Sequence, residues 1–171
     1  MSTPLDAISD LGLPVTLDVV RAGWDGIGDM PRQLMASDVA DFACRQLAQP
    51  DSGDSADIAN LCITTDSEEI DTALSRLVPV VSENAIRTWR AFLLAKLLGE
   101  LPESPIDGLS ELTSFWNALN FPDDMPHVVQ GRNNDISPLD YYTEKNYQQI
   151  IQKHRDWLTS EISQLARASL P

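Results

Sequence analysis

Residues 66–79 read DSEEIDTALSRLVP. Within this stretch Ile70, Ala73, Leu74, Leu77 and Val78 fall at i, i+3, i+4, i+7 and i+8, so a 3.6-residue helix carries them all on one face. Asp66 or Ser67 stands where an N-cap is needed. Glu68 and Glu69 occupy the first turn, where the helix dipole favours negative charge, and Pro79 ends or kinks the run. The same period recurs along the chain in both directions, and no segment alternates with period two in a Val-, Ile- and Thr-rich run. The expected fold class is therefore all-α: one domain over residues 1–171, a bundle of six to eight helices with a long C-terminal helix.

Upstream, Ser55–Ile63 forms a short helix with Ile58, Leu61 and Cys62 inward. Ser37 caps Asp38–Ala48, whose stripe is Val39, Phe42, Ala43 and Leu47, and Pro50 stops it. Thr16 caps a short helix through Ala22 that Gly23 terminates. Downstream, Ser82 opens a helix through Leu98, closed by Gly99. Ile86, Trp89, Leu93 and Leu97 form its stripe, and Phe92, Leu94 and Leu98 widen it, which places it centrally in the bundle. A Pro-containing loop, Leu101–Pro105, leads to a helix over Leu109–Leu119. Residues 120–136 read as a long loop, a length often tied to function. Ser137-Pro138 then signals a helix start. The last pattern runs to about Ala168, breaks near Thr143, and buries Tyr147, Ile150, Ile151, His154, Trp157 or Leu158, Ile162 and Leu165.

The charge is large and lopsided. The 171 residues hold 26 acids and 12 bases, a formal net of -14. Residues 1–85 contain 15 acids and 4 bases; residues 86–171 contain 11 and 8. No base lies between Arg45 and Arg76, whereas Asp51, Asp54, Asp57, Asp66, Glu68, Glu69 and Asp71 do. Such a field repels nucleic acid and anionic membrane, and it serves either as a solvated face that keeps the protein soluble or as a surface for a basic protein partner. With 43% apolar residues and four Trp, the composition is globular rather than that of an acidic disordered tail. The start, Met1-Ser2-Thr3-Pro4-Leu5-Asp6, has no basic segment and no long apolar run. Ala91–Leu98, the most apolar stretch, is too short to span a bilayer and contains Lys96. A cytoplasmic protein is expected, with Cys44 and Cys62 as reduced core residues on apolar helix faces.

Motifs for catalysis or ligand binding are sparse. His127 follows Pro126 in the long loop. His154 falls between Ile150, Ile151 and Trp157, as a packed histidine with one ring nitrogen satisfied locally, and no nucleophile motif accompanies either. Asp51-Ser52-Gly53-Asp54-Ser55-Ala56-Asp57 resembles a calcium loop only superficially. Glycine stands third, and Cys62 occupies the twelfth position, where an EF-hand needs Glu. Gly23-Trp24-Asp25-Gly26-Ile27-Gly28 follows no strand and matches no nucleotide fingerprint. Trp24 there is read as core rather than as an exposed anchor, and Lys153 and Arg155 as a solvated face. No catalytic residue, metal or cofactor is expected.

Two stretches carry a resemblance. Val19-Val20-Arg21-Ala22-Gly23-Trp24 precedes Ser37-Asp38-Val39-Ala40-Asp41-Phe42-Ala43. Residues 138–147, PLDYYTEKNY, precede His154-Arg155-Asp156-Trp157-Leu158 and Glu161. Together they resemble a family of small helical bacterial proteins encoded beside the toxin genes of polymorphic and contact-dependent growth inhibition systems. The resemblance implies an immunity protein that binds its cognate toxin domain and blocks it in the cytoplasm. It transfers no binding site. An acidic inhibitor suits a basic nuclease toxin, because it can occupy a nucleic-acid groove and steer the encounter. The expected toxin-contacting residues are Asp51, Asp54, Asp57, Asp66, Glu68, Glu69 and Asp71, with no oligomeric state assigned. A carboxylate- or metal-dependent cytosolic enzyme and a helical adaptor protein are the rival classes.

Overall fold

The computed structural model describes residues 3–49 and 56–168. Among these the chain is all-helical, with no strand. The helices are α1 (Pro4–Asp10), α2 (Leu17–Asp25), α3 (Ala36–Leu47), α4 (Ala56–Ile63), α5 (Ser67–Leu77), α6 (Glu83–Glu100), α7 (Pro105–Ala118), α8 (Pro138–Tyr141) and α9 (Glu144–Ala168). Eight have seven residues or more, and α9, at 25 residues, is about 38 Å long. No helix among the described residues is long and apolar enough to cross a membrane.

The expected caps at Thr16, Asp66, Ser82 and Ser137 each accept a backbone N–H of the following turn. The boundaries differ where a glycine or a serine serves another purpose. α1 is capped reciprocally: the Thr3 hydroxyl accepts from Asp6 N–H, and the Asp6 carboxylate accepts from Thr3 N–H. Ser37 lies inside α3, whose start is held by Asp38 reaching back 2.8 Å to the Met35 N–H. α7 starts at Ser104-Pro105, four residues ahead of the expected Leu109. α2 continues through Gly23 and ends at Gly26, whose φ of 90° suits glycine, and α6 continues through Gly99. Ser55, the expected start of α4, lies outside the described residues.

The contacts fall into two compact units. The first holds residues 1–27 and 31–89. Here α3 packs on α4, α4 on α5, and α2 on α5. Ile8, Val20, Val39, Ala43, Ile70 and Trp89 are fully buried in this unit. The Trp89 indole N–H donates 2.6 Å to the Val19 carbonyl. A Cβ at Gly23 would lie 2.2 Å from the Trp89 ring, so glycine at 23 lets helix and indole approach closely. The cysteines depart from the expected core placement: Cys44 is exposed and Cys62 only half-buried, because the α3 face that carries Cys44 looks outward.

The second unit holds residues 28–30 and 90–171. α9 packs against α7 and α8 over a core of Leu94, Leu109, Leu112, Trp116, Tyr141, Tyr147 and Ile150. Gly108 leaves room for the Tyr147 phenol, which donates 2.7 Å to the Pro102 carbonyl. Residues 120–136 are non-helical, as expected, but they are pinned. Asn134 bonds four backbone groups at Val129, Gly131, Arg132 and Ile136, and the Tyr141 hydroxyl donates to the Val128 carbonyl.

Candidate partner-binding surface

The stretch 56–77 folds as two short helices because each has an apolar face and the turn between them is self-satisfied. Ile58 and Leu61 face inward from α4; Ile70, Ala73 and Leu74 do so from α5. The Thr64 hydroxyl closes the turn, accepting from Asp66 N–H at 3.2 Å and donating to the Glu69 carboxylate at 2.5 Å. Asp66 Oδ1 accepts from the N–H groups of Glu68 and Glu69, at 2.9 and 3.1 Å. With the apolar residues turned in, the carboxylates are left on the outer face.

Asp57, Asp66, Glu68 and Glu69 line one open groove of about 440 Å³, together with Asn60, Thr72 and Arg76. Among the described residues that line it, Arg76 is the only cation, 3.4 Å from Asp57 and largely exposed. Four carboxylates around one solvent-screened guanidinium leave the groove negative. Arg76, the residue that closes the basic-free window in the sequence, is thus part of the surface, and i+4 spacing from Thr72 along α5 is the signal that places it there.

Asp71 does not join that groove. It accepts the Trp24 indole N–H and stands 3.6 Å from Arg32, whose guanidinium stacks 3.5 Å over the Trp24 ring. Its role is to satisfy a buried indole, and Trp24, 1% exposed, is core as expected. Asp51 and Asp54 lie outside the described residues.

The histidines sit in the second unit, both buried. His154 Nε2 accepts the Trp116 indole N–H at 2.9 Å, so the proton is on Nδ1, which donates 2.7 Å to the Ile150 carbonyl. Burial pushes its pKa down to about 4, against the opposing pull of that carbonyl. The His127 ring lies 5.4 Å away, its Nε2 2.8 Å from the Thr113 hydroxyl and its Nδ1 buried without a partner. Burial first, then the charge His154 would carry, lowers it to about 3. Both rings are neutral at pH 7 and act as packing. Nearby, Arg90 binds Asp124 through two bonds of 2.9 and 2.7 Å, reaches the buried Glu161 at 3.1 Å, and lies over Trp157. The partners are 34 and 71 residues away, so no local motif announces them. Among the described residues, no group of three or more His, Cys, Asp or Glu is placed to hold a metal ion.

Fold and surface define a class: an all-helical, strongly acidic protein whose concentrated charge lies on a pair of short helices. The chain belongs to DUF2247, a family described as an uncharacterized protein conserved in bacteria, which matches residues 5–162. No curated protein and no solved structure matches it. The matched span includes the residues that carry the sequence resemblance. Gly23, Trp24, Tyr141, Tyr147, His154 and Glu161 are all buried, with packing or hydrogen-bonding partners inside their own unit.

Proposed function

We propose that the protein is an immunity protein: it binds a cognate antibacterial toxin domain of basic surface and neutralises it stoichiometrically in the cytoplasm. The observation that carries this reading is the α4–α5 groove, where Asp57, Asp66, Glu68 and Glu69 converge around Arg76 in a chain of net charge -14. The resemblance to proteins encoded beside toxin genes supports it. A field of this kind raises the encounter rate with a basic surface and disfavours anionic partners. Thr64 and Arg76 hold the Glu69 and Asp57 carboxylates, so less side-chain freedom is lost there on binding.

The test uses the toxin domain encoded next to this gene. The two chains should co-purify, and co-expression should protect cells from the toxin. In the triple variant Asp57→Lys, Glu68→Lys, Glu69→Lys, association should slow by roughly tenfold or more and protection should weaken. Asp66 is left intact, because it caps α5. Unchanged association in a folded triple variant would move the interface off this groove. Failure of the wild-type pair to bind would sink the reading.

A further inference from the structure

Cys44 projects from α3 to solvent, and Cys62 sits half-buried on α4, the helix packed against it. The Cys44 thiol donates to the Cys62 carbonyl oxygen, 3.9 Å away. The two cysteines therefore meet across the packed helices α3 and α4, although 17 residues separate them in sequence. Neither is fixed by the apolar core, and neither takes part in the acidic groove. We propose that Cys44 and Cys62 form a thiol–disulfide exchange site that reacts with low-molecular-weight disulfides and closes a reversible cross-link between α3 and α4.

The reaction runs in two exchanges. Cys44, the accessible sulfur, attacks as thiolate on one sulfur of the reagent disulfide. A Cys44–reagent disulfide forms, the reagent S–S bond breaks, and the first reagent thiolate leaves and takes up a proton. Cys62 then attacks Cys44 Sγ as thiolate, the Sγ–Sγ bond forms, and the second reagent thiolate leaves and is protonated. Two protein thiols are oxidised by two electrons, one reagent disulfide is reduced to two thiols, and the two thiol protons end on the leaving groups. The Cys62 thiol is pushed up to about 11, by burial first and then by the neighbouring Cys44. The second exchange needs the Cys62 thiolate, so it accelerates as pH rises. The product is a covalent ring closed through residues 44 and 62. It encloses Asp51, Asp54 and Asp57 and restricts the unfolded chain. The inference is independent of any partner for the groove.

The test is incubation of the full-length native protein with oxidised glutathione, followed by mass spectrometry without reduction. The wild-type monomer should become two hydrogens lighter, yield a linked Cys44–Cys62 peptide pair, melt at a higher temperature, and revert with reduced glutathione. Cys62→Ser should halt at a stable glutathione adduct on Cys44. Cys44→Ser should react at least about tenfold more slowly, because only the half-buried thiol remains. A wild-type protein that accumulates only the adduct, cross-links between two molecules, or melts lower once oxidised would overturn the proposal.

Discussion

A methyl group at position 23 would lie 2.2 Å from Cζ2 of Trp89, whereas one at position 99 would meet nothing within 4 Å. Both glycines are helical, so both carry the same entropic penalty relative to alanine. Gly99→Ala should therefore stabilise the protein by roughly 0.5–1 kcal/mol. Gly23→Ala should destabilise it by about 1–3 kcal/mol as the indole is displaced. Chemical denaturation of the two variants measures both signs. From sequence alone each glycine reads as a stop, because a glycine that ends a helix and one that admits a neighbouring ring look identical; nothing in the structure requires glycine at 99. His127 and His154 give a second test. Their folded values, about 3 and about 4, lie below the ordinary 6.5, so below pH 6.5 the unfolded chain binds protons that the folded protein refuses. The stability they confer is full above pH 6.5 and is lost as pH falls toward those folded values. Each should withdraw up to about 1.4 kcal/mol per pH unit between pH 6 and pH 4.5. Urea midpoints over that range should fall, and His127→Asn should remove about half of the slope. A slope identical to wild type would show that this ring is not buried in neutral form.

Among elements, α9 shows how far a periodic pattern carries. Tyr147, Ile150, Ile151, His154 and Leu165 are buried where the spacing puts them, but Glu161 takes the place in the buried stripe that Ile162 was expected to hold. The reason is non-local: Arg90 arrives from α6 and binds Glu161 and Asp124 together. Periodicity identifies a face by apolar residues and cannot anticipate a charge buried by its partner. Short elements fail for a different reason. α1 and the first turn of α7 offer less than two periods of pattern before α7 reaches Leu109, although Thr3-Pro4 and Ser104-Pro105 mark both starts. Arg90→Met should cost about 3–5 kcal/mol by leaving Glu161 without its guanidinium in a buried site. Arg90→Met combined with Glu161→Leu should recover most of that loss. Equilibrium unfolding of the single and double variants reads the coupling, and additive losses would mean that the two side chains act separately.

For the whole molecule, charge was the property most legible in advance, and its spatial sorting the least. A count along the chain finds the acid-rich window, but helical geometry divides it: Asp57, Asp66, Glu68 and Glu69 share a groove, while Asp71, two residues after Glu69, turns to the Trp24 indole. That division depends on where Trp24 lies, 47 residues earlier, which no spacing rule reports. If the groove carries the proposed interaction, association with the basic partner should slow steeply as salt rises from about 0.05 to 0.5 M, because the Debye length contracts from roughly 14 to 4 Å. Dissociation should change far less. Stopped-flow measurement across that range checks it, and a salt-independent on-rate would point to an apolar interface.

The indoles divide evenly between the two units: Trp24 and Trp89 in the first, Trp116 and Trp157 in the second. Three of them donate their N–H to a specific acceptor, an Asp71 carboxylate oxygen, the Val19 carbonyl and an imidazole nitrogen of His154. Each unit therefore contains its own optical and magnetic label. Indole proton resonances and the emission of variants with tryptophans in one unit only would follow the melting of each unit separately, with no dye attached. Trp116 would report in addition on its histidine, since protonation of Nε2 removes the acceptor and changes the quenching of that ring.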